Sequence, residues 1–504
     1  MKLRFFLMLP LLGIYLTACG GGSGSGSAKL QSSATSSSTP TTSSSRTSSS
    51  LSSPVSSSII SSTPATSSLS SSVQPSSISS SSVGNVWTDL HAISGSGAGA
   101  AQAVLDTAGN ALIVWKQLDE NLSSRSLWFR RYTGSAWTEA QLIEQAAGGV
   151  DNFLLINDQQ SGRAMIIWKQ LTSTQYDLWV SAFAADSGWS APVNIESGNG
   201  AVGDFDLIMD SQKNAIAVWA QIETVGRFSI YANRFSFASG WGTANLIENI
   251  NQIGRQDGSP RIAALSGGDA EVVWMKSGAS PRGIWHNKFS QSSGWGEAAE
   301  LITDSSTDFS FDFPRIVSSG NGMAYLFWGQ TDFVNRAWHS GVKLKTYAGS
   351  WGQANTQVEP GVESDSIFKP YVKLSATNKA LIVRGGDGQS LLANPFTNGE
   401  LGSATRIKPI DNLDLYSEPV VAVDAAGSGF VTWTQKASDL LQSHLYLVPY
   451  SATTGWNPAI VIGNLSEPAY DSYVAMNEQG KAILVWTKLT ENQGTKIYAR
   501  YYQP

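Results

Sequence analysis

The chain has 504 residues, with 33 Lys and Arg against 39 Asp and Glu, giving a formal net charge of −6. That balance excludes a basic footprint for nucleic acid, and a single cysteine excludes an internal disulfide. Stability must come from a buried core, for which a chain of this length is ample.

The first residues are cationic, Met1-Lys2-Leu3-Arg4, and an apolar run follows from Phe5 to Leu16. A spanning helix needs about 20 apolar residues, so residues 1–18 read as a signal peptide. The run ends in Leu16-Thr17-Ala18-Cys19. Small residues before a lone cysteine resemble the lipobox of bacterial lipoproteins. The resemblance implies cleavage before Cys19, lipidation of that cysteine and a lipid-anchored N-terminus over 19–22. Gly20-Gly21-Gly22, with no aspartate beside the cysteine, implies the outer membrane, facing the cell surface or the periplasm. Residues 23–84 are dominated by serine, with Thr, scattered Pro and little charge. Such a segment cannot bury enough apolar surface to order itself. It is expected to be a disordered linker averaging roughly 40–46 Å end to end. Similar serine-rich linkers occur in secreted polysaccharide-degrading proteins of some Gram-negative bacteria.

From Val86 onward one unit recurs. Its first landmark is a strand ending in Trp, as in Ala111-Leu-Ile-Val-Trp115-Lys116-Gln117. The landmark returns at Trp168, Trp219, Trp274, Trp328, Trp433 and Trp486, with Arg384 in the sixth copy, at steps of 49 to 56 residues. A second landmark, usually Gly-Trp, falls at Trp87, Trp137, Trp189, Trp241, Trp295, Trp351 and Trp456. Between them lies a short aromatic strand such as Leu127-Trp128-Phe129. Each unit thus carries four β-rich runs split by Gly, Asn, Asp and Ser. The turn Asp106-Thr-Ala-Gly109-Asn110 suits a tight hairpin, because Gly and Asn accept positive φ. Four strands per unit of about 50 residues, repeated, are the signature of a propeller. The expected fold is all-β: an eight-bladed β-propeller of four-stranded blades over 85–504. The last unit lacks its Gly-Trp strand, and the start of the domain, Trp87 to Ile93, supplies it, so the N-terminal strand is expected to complete the last blade.

The repeat accounts for all 18 tryptophans, seven on second strands, four on third strands and seven on fourth strands. Residues at equivalent positions are most simply packing between blades. His286 and His339 fall on third strands of different blades, and His91 and His444 at other positions, so no metal site is expected. Gln117, Gln170, Gln221, Gln330 and Gln435 recur two residues after the Trp. They are expected to cap backbone groups at strand ends or to line a ligand face.

Function should lie where the pattern breaks. The loops joining later blades are acidic and aromatic, and they align on Pro260, Pro314, Pro370 and Pro419. That alignment places Arg261, Arg315, Tyr371 and Tyr473 around the mouth of the central channel, with Asp312 and Glu418 close by. Arginines take carboxylates or phosphates in bidentate fashion, and tyrosines stack and hydrogen-bond. The rim would suit an acidic or polyhydroxylated ligand; alternatively these charges pair among themselves. No nucleophile elbow, metal signature or phosphate loop is present. The repeat resembles the Asp…Gly…Trp docking repeat of eight-bladed quinoprotein dehydrogenases. It lacks their Thr-Gly-Lys run and paired cysteines, so no cofactor is expected.

The leading expectation is a membrane-tethered, non-catalytic binding protein that presents the propeller face to a polysaccharide, glycan or partner protein. In layout it resembles bacterial propeller lectins and lipid-anchored propeller scaffolds. A polysaccharide lyase or hydrolase on the same face is the alternative, with Arg261 or Arg315 neutralising a uronate and Tyr371 or Tyr473 moving the proton. An outer-membrane assembly scaffold, with an envelope protein as partner, is a third.

Overall fold

The computed structural model describes residues 86–504, apart from 120–123, 145–147, 173, 197, 199, 225–226, 249–255, 278–281, 305–308, 335–336, 354–355, 358–361, 364–368, 387–389, 409–414, 416, 437–441, 463–467 and 491–493. The expected signal peptide, the acylation site at Cys19 and the serine-rich linker lie outside the described residues.

Eight antiparallel sheets follow one another along the chain, each with a path of four strands. In blade 1 these are Ala98–Leu105, Ala111–Leu118, Arg125–Tyr132 and Gln141–Leu142. Blades 2 to 7 begin with Val150–Asp158, Val202–Met209, Gln256–Ala264, Phe309–Ser318, Tyr371–Leu374 and Val420–Val423. Blade 8 runs Ala469–Met476, Ala482–Thr490 and Gly494–Gln503, and its fourth strand is Val86–Trp87. Val86 pairs with Gln503 and Trp87 with Tyr502, so the two ends of the domain close one sheet. Seven blades carry a short fifth strand on their third strand, a feature the repeat alone did not reveal.

The hairpins between first and second strands are built by the Asp and Asn that the repeat supplies. Asp106 Oδ1 accepts the Asn110 amide at 2.8 Å, Asp210 Oδ1 that of Asn214 at 2.9 Å, and Asn477 Oδ1 that of Lys481 at 2.9 Å. At Gly109, φ is 91°. A Cβ there would also stand 2.2 Å from the Tyr501 hydroxyl, so only glycine fits.

Eight apolar cores fill the eight seams between blades. Trp115 packs with Ile483 and Val485 across the seam of blades 8 and 1, closing the ring. Trp168, Trp219, Trp274, Trp328, Trp433 and Trp486 each anchor one further seam. The eighth core, between blades 5 and 6, has no tryptophan because Arg384 stands in its place. Phe396 fills it instead, with its ring centroid 4.8 Å from that of Tyr325 and 6.0 Å from that of Phe327.

Candidate functional site at the channel mouth

The innermost strand of each blade runs down the channel, and in six blades it carries a β-bulge near its start. The ladder shifts between Gly99 and Gln102, Val150 and Phe153, Val202 and Phe205, Gly258 and Arg261, Asp312 and Arg315, and Tyr470 and Ser472. A bulge bends the strand and re-aims its side chains. Ala100, Ser259, Phe313 and Asp471 occupy the same place in four of these bulges with φ of 51°, 52°, 56° and 39°. Left-handed backbone at a non-glycine residue costs of order 1–3 kcal/mol, and such strain concentrates at functional sites. Pro260 and Pro314 follow two of these residues and fix the chain at the turn.

The register then defines stacked rings of equivalent positions. Gln102, Leu154, Asp206, Arg261, Arg315, Tyr371, Val420 and Tyr473 each pair with the residue just before the second-strand Trp or its substitute. Two residues above stand, among others, Asp204, Ser259, Phe313, Lys369, Glu418 and Asp471. Two residues below, Val104, Ile156, Ile208, Val317 and Lys373 line the channel wall, which fixes the inward face of the strands.

Neighbours within the upper ring touch around its circumference. The Ser259 hydroxyl donates to Asp204 at 2.9 Å. Lys369 pairs with Glu418, and its ammonium lies 5.6 Å from the centre of the Phe313 ring and 5.5 Å from that of Tyr371. In the ring below, Arg261 and Arg315 interact across adjacent blades. Burial first, then the repulsion of Arg261, holds the Arg315 guanidinium below its ordinary value, while Asp206, Glu418 and Tyr371 oppose this. Burial and the Glu418 carboxylate push the Tyr371 phenol well up, so it stays protonated at neutral pH. Burial also raises Asp206, which is countered by Arg261 and by the amides of Ile262 at 3.1 Å and Leu207 at 2.9 Å.

The structure thus joins Arg261, Arg315, Tyr371 and Glu418 in one electrostatic cluster. Tyr473 is at the equivalent ring position but lines the channel wall beside Ala422 and Ala475, and burial raises its phenol. Asp312 lies in the blade 5 bulge, and its side chain is outside the described residues. Asp206, Lys369 and Phe313 belong to the cluster and escaped sequence reasoning. Blade 3 offers Phe205 where the alignment relied on a proline, so Asp206 gave no signal.

The recurring glutamines are structural ties. Each accepts the indole N–H of its own blade's Trp, at 3.1, 3.0, 3.0, 2.9 and 3.3 Å for Gln117, Gln170, Gln221, Gln330 and Gln435. Gln170 and Gln221 also cap the Gly148 and Gly200 carbonyls at 3.1 and 3.0 Å. In the connection from blade 2 to blade 3, Glu196 hydrogen-bonds with Asp177 and accepts the Gln221 amide at 2.9 Å. Burial and the Asp177 carboxylate raise Glu196 to about 8. His286 Nδ1 meets the buried Glu271 at 2.5 Å, and the Trp351 indole donates to the same carboxylate at 2.9 Å. Among the described residues no group of three or more His, Cys, Asp or Glu side chains could hold a metal ion.

The fold and site together define an eight-bladed propeller whose channel mouth carries a charged, aromatic arc on blades 3 to 7. No family model matches the sequence, and no curated protein matches it. Among solved structures, the chain is similar to an ulvan lyase of polysaccharide lyase family PL25, with 11% identity over 74% of this chain and 98% of that one, at a TM-score of 0.47. It is similar to polysaccharide lyase Uly1, with 9% identity over 79% and 89% of the two chains and a TM-score of 0.46. The α-L-arabinanase of Penicillium chrysogenum, solved with arabinobiose, shows 9% identity over 82% and 98%, with a TM-score of 0.36. The solved structures the chain is similar to thus include polysaccharide lyases and an arabinanase.

Proposed function

We propose that the chain acts on an anionic polysaccharide at the channel mouth and cleaves it by β-elimination. The observation that carries this reading is the adjacency of Arg261, Arg315 and a protonated Tyr371 at equivalent positions of three successive blades. Two facing guanidiniums disfavour each other, and a carboxylate placed between them relieves that repulsion. Neutralising a uronate carboxylate in this way acidifies the proton on the adjacent carbon. In the elimination, Glu418 takes that proton and the C–H electron pair becomes the new C=C bond. The glycosidic C–O bond opens, and the leaving oxygen takes the Tyr371 proton. No oxidant or cofactor enters the balance.

The test is ultraviolet absorbance of the unsaturated product during incubation with a panel of uronate polymers. Product formation that is lost in Tyr371→Phe and Arg315→Ala is expected. Binding without product from any polymer would return the chain to the second reading, a non-catalytic receptor. That reading is favoured by one contact, the Lys369–Glu418 ion pair, which engages the carboxylate the elimination needs as base.

The leader and Cys19 support a further proposal, that the propeller is tethered to the outer membrane through the linker at 23–84. A tether raises local concentration and relaxes the need for tight binding. Palmitate labelling that disappears in Cys19→Ala is the check.

A further inference from the structure

Below the mouth the channel changes character. The wall one ring down is aliphatic in blades 1, 2, 3 and 5, with Val104, Ile156, Ile208 and Val317, and blade 6 alone brings a charge, Lys373. These residues border a cavity of about 330 Å³. Lys373 follows Tyr371 by two residues on one strand, so it projects from the same face about 7 Å deeper. Lys369, just ahead of the strand, and Tyr371 and Lys373 on it therefore form a descending series of cation, phenol and cation, with Tyr371 beside Arg315.

Around part of the ring, the hairpins at the lower ends of the innermost strands are tied together. Gln159 of blade 2 donates to the Met476 carbonyl of blade 8 at 3.4 Å and accepts the Glu478 amide at 3.0 Å. Glu478 also accepts the Ala376 amide of blade 6 at 3.0 Å through its side chain, and the Ala425 amide of blade 7 at 3.2 Å through its carbonyl. Four blades converge on one residue there. The Lys373 side chain remains exposed to the lumen, and among the described residues no hydrogen bond or ion pair engages its ammonium. Although the side chain reaches lumen water, the channel walls surround it and strip away bulk solvent, which holds that ammonium below its ordinary value; the Glu478 carboxylate opposes the shift from a distance.

We infer that the space beneath the mouth is a blind well in which Lys373 binds the acidic group at the end of a carbohydrate chain, so that the chain enters end-on. This rests on the mouth being an anionic-carbohydrate site and adds where the ligand's end lies. Apart from Asn157, Ser318 and the more distant Glu478, the wall around this ammonium is mostly aliphatic and offers it few side-chain acceptors. A carboxylate or a sulfate ester entering the well replaces the ammonium's lost hydration with a charge-assisted contact. The aliphatic wall meets the C–H face of the terminal sugar. A strand lying across the mouth would engage Arg261 and Arg315 without reaching Lys373. The well thus separates attack at chain ends from attack within the chain.

The experiment uses the whole propeller and two small probes, D-glucuronate and inorganic sulfate. They distinguish carboxylate from sulfate-ester recognition. Calorimetric titration of wild type, Lys373→Met and Arg261→Ala/Arg315→Ala is paired with mass-spectrometric mapping of Lys373 acylation. Saturable binding of one probe that falls at least tenfold in Lys373→Met, with Lys373 shielded from acylation by that probe, is expected. Equal probe affinity in wild type and Lys373→Met, or unshielded acylation at saturating probe, overturns the well. Polymer binding that is lost in the arginine double variant and untouched in Lys373→Met keeps the mouth and overturns the well. Probe capture by Lys373 without polymer binding by wild type keeps the well and overturns the mouth. Lys373→Arg keeps the charge and is expected to restore probe binding, which separates charge from a folding defect.

Discussion

The two halves of the channel mouth share one backbone plan and differ in chemistry. Blades 3 to 6 present Asp206, Arg261, Arg315 and Tyr371 at the same register position where blades 7, 8, 1 and 2 present Val420, Tyr473, Gln102 and Leu154. In the quiet half the position serves packing. Gln102 donates to the Phe153 carbonyl at 2.8 Å and accepts the Leu155 amide at 2.9 Å, stitching blade 1 to blade 2. Asp206 makes the equivalent stitch to Ile262 and in addition faces two arginines. A repeat can therefore acquire a site by changing single residues at positions whose backbone is already held, without rebuilding any strand.

The widest contrast is between seam and mouth. Trp219 is fully buried in the core between blades 2 and 3. Trp219→Ala is expected to destabilise the propeller by about 3–5 kcal/mol, read as a lower urea midpoint. Arg315→Ala should move that midpoint less, because Arg315 lies outside the seam cores on either side of its blade, yet it should weaken polymer binding at least tenfold. A large loss of stability in Arg315→Ala would mean that the arginine pair is part of the framework, and the distinction between seam and mouth would fail.

Within the mouth, the comparison sharpens when the same exchange is made on both sides. Tyr371→Phe removes a phenol that neighbours Arg315, and Tyr473→Phe removes one that the cluster does not include. Product formation should collapse in the first and persist in the second. Matching losses would place the reacting sugar deeper, between both tyrosines.

The fold was legible because the same landmarks recur eight times and each copy checks the others. Ring closure was legible because one unit was short by the strand the chain start supplies. The candidate cluster was half legible. Aligning on prolines found Arg261, Arg315 and Tyr371, since proline holds the chain just before the inward-facing position in blades 4, 5 and 6. It missed Asp206, whose blade has no such proline. It set Asp312 close to the rim, and that residue stands three places before Arg315, at the blade 5 bulge. Lys369 gave no signal, because its place in the cluster depends on the blade 5 bulge that sets Phe313 5.6 Å from its ammonium, and bulges leave no clear mark in sequence. The Asp177–Glu196 pair was out of reach because it depends on how the short strand Val193–Asn194 lies along the third strand of blade 2.

That pair gives the gentlest test, since it lies in the framework and titrates in the working range. Glu196 is raised from 4.5 to about 8 in the folded protein. The folded chain therefore keeps a proton that the unfolded chain releases above pH 4.5. Each step upward in pH then favours unfolding, until the folded carboxyl also ionises near pH 8. This contribution to stability is complete below about pH 4.5, declines to about pH 8 and is flat above. Glu196→Gln keeps a donor to Asp177 and an acceptor for the Gln221 amide without the titration. Its urea midpoint should change less between pH 5 and pH 8 than that of wild type, while binding at the mouth is unaffected. Parallel midpoints in the two proteins would show that Glu196 ionises normally and that the carboxylate pair is open to solvent. A loss of polymer binding in this variant would instead join framework and mouth, and the separation drawn between them would not hold.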